Sequence, residues 1–274
     1  GIRTMIRACV IGNSHVAAFR HARDNIHQAH PDFSVDFFGV AFPHVDGLAC
    51  NEDGVFGVDR ASSLAVGIQP NRVRAAVLNI NEQPSIDLSA YDAAFNVGQY
   101  VKLKDIFRTI ARYDVDGFPD RKRPGRMSRA AFEAMVREIV DDHIPDWIAN
   151  MAGATRSWAS IVPFLSAACL DDEGSEYQYL RHIVPDADAV APIIAFVHQV
   201  IRERFTALGV TYIPQRRNTT PRLVVTATEH SAGSRRFGGA GEAHDARDYI
   251  HMNAAYAASC FDEFAEQVRT ALAA

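Results

Sequence analysis

The stretch from Met5 to His15, MIRACVIGNSH, narrows the choice of fold more than any other part of the chain. Ile6, Ala8, Cys9, Val10 and Ile11 form a short apolar run without the alternation of a half-exposed strand, which predicts a strand covered on both faces. Gly12 permits a sharp bend, and Ser14 falls where a helix is due to begin. Two roles suit a serine there. It can cap the helix, as serine often does. It can also act as a nucleophile whose own backbone N–H lies at the positive end of the helix dipole.

The rest of the chain repeats this strand-to-helix sense. HVAAFRHARDNIHQAH after Ser14 reads as a helix ended by Pro31, with His21, His27 and His30 expected to be solvated, as is His15. Further strands are expected at 33–42 (FSVDFFGVAF), 92–100 (DAAFNVGQY), 160–167 (SIVPFLSA) and 210–215 (VTYIPQ). Helices are expected after Tyr100, from Ser128 with Pro145 as a break, near 188–208, and over 250–272. Glu133 and Arg137 stand at helix-pair spacing. Residues 50–81 read as an insertion in which VFGVD (55–59) and AAVLNIN (75–81) alternate like an exposed hairpin. RLVVTAT (222–228) suits a further strand or an ordered loop, RKRPGR (121–126) a solvated loop, and the Gly- and Ser-rich 229–246 a long mobile loop. No repeat and no break in composition divides the chain, so one domain over residues 1–274 is expected, with GIRT (1–4) as a cloning remnant.

Alternating strands and helices predict an α/β fold with a parallel sheet covered on both faces. Right-handed crossovers place the C-terminal ends of all strands on one edge, where sites in such sheets form. Ser14, the loop after Phe42, Gly98-Gln99 and the loop after Pro214 are therefore expected to meet there.

Composition removes several classes of function. A net charge of −5 over 274 residues lacks the basic surface that phosphate backbones require, so nucleic acid is not an expected partner. No apolar run approaches the length of a membrane span and no signal peptide is visible, so no membrane partner is expected; a cytoplasmic protein fits best, with a leader already removed as the alternative. Cys9, Cys50, Cys169 and Cys260 are scattered without CxxC spacing, which predicts reduced core thiols and no metal site. The first turn lacks the G-x-G-x-x-G spacing that admits a pyrophosphate, so a nucleotide-binding protein ranks low.

Asp248-Tyr249-Ile250-His251, just after the Gly-rich stretch, bears on the role of Ser14. An aspartate three residues before a histidine can fold back and accept from its Nδ1, which aims Nε2 at a partner. Placed at the start of the last helix, the same residues also suit a cap and a plain histidine. Gly12-Asn13-Ser14-His15 after the first strand, paired with D-x-x-H before the last helix, resembles the SGNH (GDSL-like) hydrolase superfamily. The resemblance implies a flavodoxin-like three-layer α/β/α sandwich with a central five-stranded parallel sheet. It also implies a catalytic triad of Ser14, His251 and Asp248 that needs no cofactor and no metal. Asn13 stands where the family has aspartate, and Tyr100 where the third block has asparagine. The oxyanion donors it implies are therefore the Ser14 N–H with Gly39, Gly98, Gln99 or Asn96. The expected activity is hydrolysis of a small-molecule or saccharide acyl ester. Acyl transfer by the same triad, or a weakly catalytic binding protein on the same fold, are the alternatives.

Overall fold

A computed structural model describes residues 5–237 and 241–274; the remnant expected at 1–4 lies outside the described residues. β1 (Ile6–Gly12) sends Ala8 and Val10 into one apolar cluster and Cys9 and Ile11 into another, the signature of a strand buried on both faces. Two short helices follow, α1 (Val16–His21) and α2 (Arg23–Ala29), then β2 (Phe33–Gly39). The next segment holds β3 (Leu48–Cys50), β4 (Val55–Val58), α3 (Arg60–Ala65), α4 (Pro70–Asn81) and β5 (Ser85–Asp87). Then come β6 (Ala93–Gln99), α5 (Leu103–Arg112), β7 (Tyr113–Val115), β8 (Gly125–Met127), α6 (Arg129–His143) and α7 (Ile148–Ala154). The chain closes with β9 (Arg156–Ile161), α8 (Ala187–Ala207), β10 (Thr211–Tyr212) and α9 (Ala254–Ala273).

Five strands form one all-parallel sheet in the order β2-β1-β6-β9-β10, the flavodoxin-like order. One face is covered by α1, α2 and α9 through Val16, Phe19, Ile26, Phe261 and Phe264. The other is covered by α4, α5, α6 and α8 through Val73, Ile106, Phe132, Val136, Ile193 and Ile201. This is the three-layer α/β sandwich expected from the strand–helix alternation. Register sets the functional edge: Gly12 pairs with Gly39 of β2 and with Val97 of β6, so the three strands end in one row.

Several local readings change. AAVLNIN belongs to α4 rather than a strand; Pro70 occupies the first turn, and Val73 and Val77, four residues apart, face the core. β4 does pair, but with β3 and β5 in a small antiparallel sheet. The fourth strand lies four residues earlier than expected and ends at Ile161, before the donor-less Pro163. RLVVTAT takes the second of its two expected forms, an ordered loop, tied to the 164–167 segment by an isolated bridge from Thr226 to Ser166. Glu133 pairs with Arg129, 2.6 Å away, while Arg137 reaches Glu203 across to α8. His30 is buried rather than solvated, held by Asp262 at 2.7 Å and by Arg269. All four cysteines are buried and free, and burial raises the thiols of Cys50 and Cys260 to about 12.

One stretch, Gln178–Ala207, has the length and mean hydropathy (1.3) of a membrane span, contrary to the sequence reading. Here Val190, Ile193, Val197, Ile201 and Phe205 are buried in the core of the sandwich.

The basic run is the other departure. Arg121 is buried rather than solvated, its guanidinium donating to the carbonyls of Ile110 and Tyr113 and lying 3.7 Å from Asp114. Asp114 in turn accepts from the backbone N–H of Arg121 (2.9 Å) and Arg123 (2.7 Å). This staples the 113–127 loop, and removing the carboxylate strands a buried cation. Asp114→Ala should therefore cost about 3–5 kcal/mol, read as a lowered urea midpoint with an unchanged m-value. A cost below about 1 kcal/mol would show that the pair is not holding the loop.

Candidate active site

The turn after β1 forms because two glycines leave room for it. At Gly12, with φ +146°, an added Cβ would sit 2.3 Å from the Val97 carbonyl oxygen. At Gly98, with φ +71°, it would sit 2.5 Å from Asn13 Oδ1. Asn13 closes the gap between the two turns: its Nδ2 donates to the Gly98 carbonyl (2.6 Å) and its Oδ1 accepts from the His15 N–H (3.0 Å). An aspartate could accept but not donate, so the amide makes a link that the acid could not. α1 begins at Val16, and Ser14 does not cap it with its side chain.

Instead Ser14 Oγ lies 2.8 Å from His251 Nε2. His251 Nδ1 lies 2.8 Å from Asp248 Oδ2, so three residues far apart in sequence form one hydrogen-bonded chain. Asp248 and His251 sit in a turn ahead of α9 rather than on it, and Asn253 caps that helix by accepting from the Tyr256 N–H. The turn is built on Asp248 Oδ1, which accepts from the backbone N–H groups of Ile250 and His251, both at 3.0 Å. Asp172 anchors it from outside through Tyr249 Oη (2.7 Å) and Arg247 (2.8 Å). Asn253 Nδ2 ties it to the carbonyls of Glu229 and Ala232.

Two further histidines sandwich His251. His244 stacks on one side, with centroids 4.2 Å apart and planes 4° from parallel, and its Nδ1 lies 3.0 Å from the same Asp248 Oδ2. His15 lies on the other side at 5.1 Å, buried rather than solvated. Burial works against the Asp248 carboxylate, but hydrogen bonds from the His251 ring and backbone outweigh it and hold the carboxyl well below its usual range. Burial and the neighbouring His251 lower the pKa of His244, and the same causes, in the same order, hold His15 down to about 3. His244, Asp248 and His251 are close enough to suggest a metal site. Both Nδ1 atoms are, however, already engaged with Asp248 Oδ2, and His251 Nε2 is engaged with Ser14 Oγ.

The expected oxyanion donors fare unevenly. Among the described residues nothing accepts from the Ser14 N–H, which leaves it available. The Gly39 N–H donates to Asn81 Oδ1 (2.9 Å), and Asn81 Nδ2 returns a bond to the Gly39 carbonyl, so Gly39 is engaged as it stands. Gln99 Nε2 turns away to the His143 carbonyl (3.0 Å). Asn96 is buried, with Met151 Sδ 3.9 Å from its Nδ2. Gly98 contributes its carbonyl, as the acceptor for Asn13. Asn81 and His244 escaped the sequence reading: one lay in a segment read as a strand, the other in a Gly-rich loop with no periodicity to place it.

A cavity of about 500 Å³ opens beside the Ser14 turn, with Gly12, Asn13 and Gly98 in its wall. Comparison with protein-family models and with curated proteins finds no match for this chain.

The lowered His15 value fixes a sign for acid stability. Below about pH 6.5 the unfolded chain binds a proton there that the native state refuses, so stability falls as pH falls toward 3. At pH 5 this amounts to about 2 kcal/mol. The depressed Asp248 carboxyl adds its own loss only below the usual carboxylate range, outside the span from pH 7 to pH 5. His15→Gln should therefore lose less stability than wild type between pH 7 and pH 5 in urea titrations. Equal losses would mean that His15 does not stay neutral in the native protein.

Proposed function

We propose that this protein is a serine esterase or deacylase that hydrolyses a small acyl ester through Ser14, His251 and Asp248. The observation that carries the reading is the unbroken hydrogen-bonded chain from Ser14 Oγ through both ring nitrogens of His251 to a carboxylate. The flavodoxin-like sheet order and the G-N-S-H and D-x-x-H stretches support a relationship to the SGNH hydrolases.

His251 Nε2 takes the Ser14 hydroxyl proton as Oγ attacks the ester carbonyl carbon. Asp248 keeps the proton on Nδ1 in place and stabilises the imidazolium. The tetrahedral oxyanion takes the Ser14 N–H. Its collapse breaks the bond to the alcohol oxygen, which leaves with the proton from His251. Water then gives a proton to His251, its oxygen attacks the acyl-serine, and release of the carboxylic acid returns the proton to Ser14. His244 acts as a positioning residue: its ring lies flat on His251 and shares the Asp248 oxygen, which restricts rotation of the base. With Gly39, Gln99 and Asn96 engaged elsewhere, each missing oxyanion donor lowers the rate by about 10²–10³. That observation favours a second reading, a binding protein with weak catalysis.

Hydrolysis of p-nitrophenyl acetate by wild type, Ser14→Ala, His251→Ala and Asp248→Asn separates the two. The esterase reading expects saturable turnover that drops by about 10³-fold or more in each variant. His244→Phe should retain turnover but change the shape of the pH profile. Turnover that is absent in well-folded wild type, or equal in Ser14→Ala, would overturn the assignment.

A further inference from the structure

The cavity beside Ser14 has a one-sided chemistry. Strand ends wall it on one side; residues of the 45–66 segment and the connection from α6 to α7 wall it on the other. Tyr100, 53% exposed, and Trp147, backed by the buried Phe56, supply aromatic surface. Among the described residues its charged side chains are Asp46 and Asp142, and no lysine or arginine lines it. Among the described residues neither carboxylate has a hydrogen-bonding or ionic partner, although Asp105, Asp141 and Asp146 nearby in sequence are matched with Lys102 or Arg204. Asp46 is exposed at the cavity mouth, yet partial desolvation still raises its carboxyl, with no cation to offset the shift. His143, also in the wall, points its Nδ1 at the Ile139 carbonyl (2.7 Å), so that nitrogen is not offered to the cavity.

Aromatic faces beside uncompensated carboxylates attract an ammonium ion and repel anions. We propose that this cavity is a cation-selective subsite that takes an ammonium-bearing group. That this group belongs to the ester substrate rests on the serine-esterase reading; the ammonium preference itself does not.

The test is calorimetric titration of the wild-type protein with choline, with dimethylbutanol (its neutral carbon isostere), and with hydroxypropanoate as an anion. p-Nitrophenyl acetate turnover is followed in the same samples. Choline should bind about tenfold more tightly than the isostere, the anion should not bind, and Asp46→Asn/Asp142→Asn should abolish the preference. Both aspartates are exposed, so the double variant should keep the wild-type melting temperature, and Asp46→Asn alone should weaken choline in the same direction. Equal binding of choline and isostere, no binding of choline, or a preference that survives the double substitution would each overturn the proposal. Choline binding without ester turnover would uphold the subsite and sink the esterase reading; turnover without choline binding would do the reverse.

Discussion

The site depends on how closely the ends of β1 and β6 approach each other. Where Gly12 meets Val97 there is no room for a side chain, and the Gly98 turn presses just as closely on Asn13. Asn13 turns that proximity into a bond by donating to one turn while accepting from the other. The result is a rigid corner on which Ser14 is presented at the C-terminal edge of the sheet, facing a base that arrives from the far end of the chain. The backbone geometry at the corner thus determines where the hydroxyl can be, and the Asp248 turn determines where the imidazole must be to meet it.

Electrostatics around that imidazole centre on one carboxylate. A single carboxylate oxygen serves both His244 and His251, and burial keeps His15 neutral at their side. A proton arriving on one of these rings disfavours a proton on the others, so the cluster has capacity for one positive charge facing one negative one. A general base that must gain and lose a proton within each turnover benefits from that restriction.

Much of the scaffold was legible because a strand buried on both faces has an unusual signature. Ala8 to Ile11, and Ala93 to Phe95, are apolar at successive positions, and both proved to lie in central strands. Ser14, Asp248 and His251 were legible as spacings, since a Gly-bend after the first strand and an aspartate three residues before a histidine are local patterns. What could not be read depends on tertiary contacts. Asn81 engages Gly39 only because α4 packs beside β2, and a short apolar run such as AAVLNIN suits either period until its neighbours decide. Arg121 looked like a solvated charge because nothing local shows that Asp114 folds over it. His244 sits in a loop whose path is set by bonds to distant residues rather than by its own sequence.

The most direct test of the account is peptide mass mapping after exposure to a fluorophosphonate, which reports whether the hydroxyl of Ser14 is activated by His251. The tryptic peptide of residues 8–20 contains Ser14 as its only serine. Wild type should give a stoichiometric phosphonyl adduct on that peptide, and His251→Ala should lose it. An adduct on another residue, or one that forms equally fast without the imidazole, would contradict it.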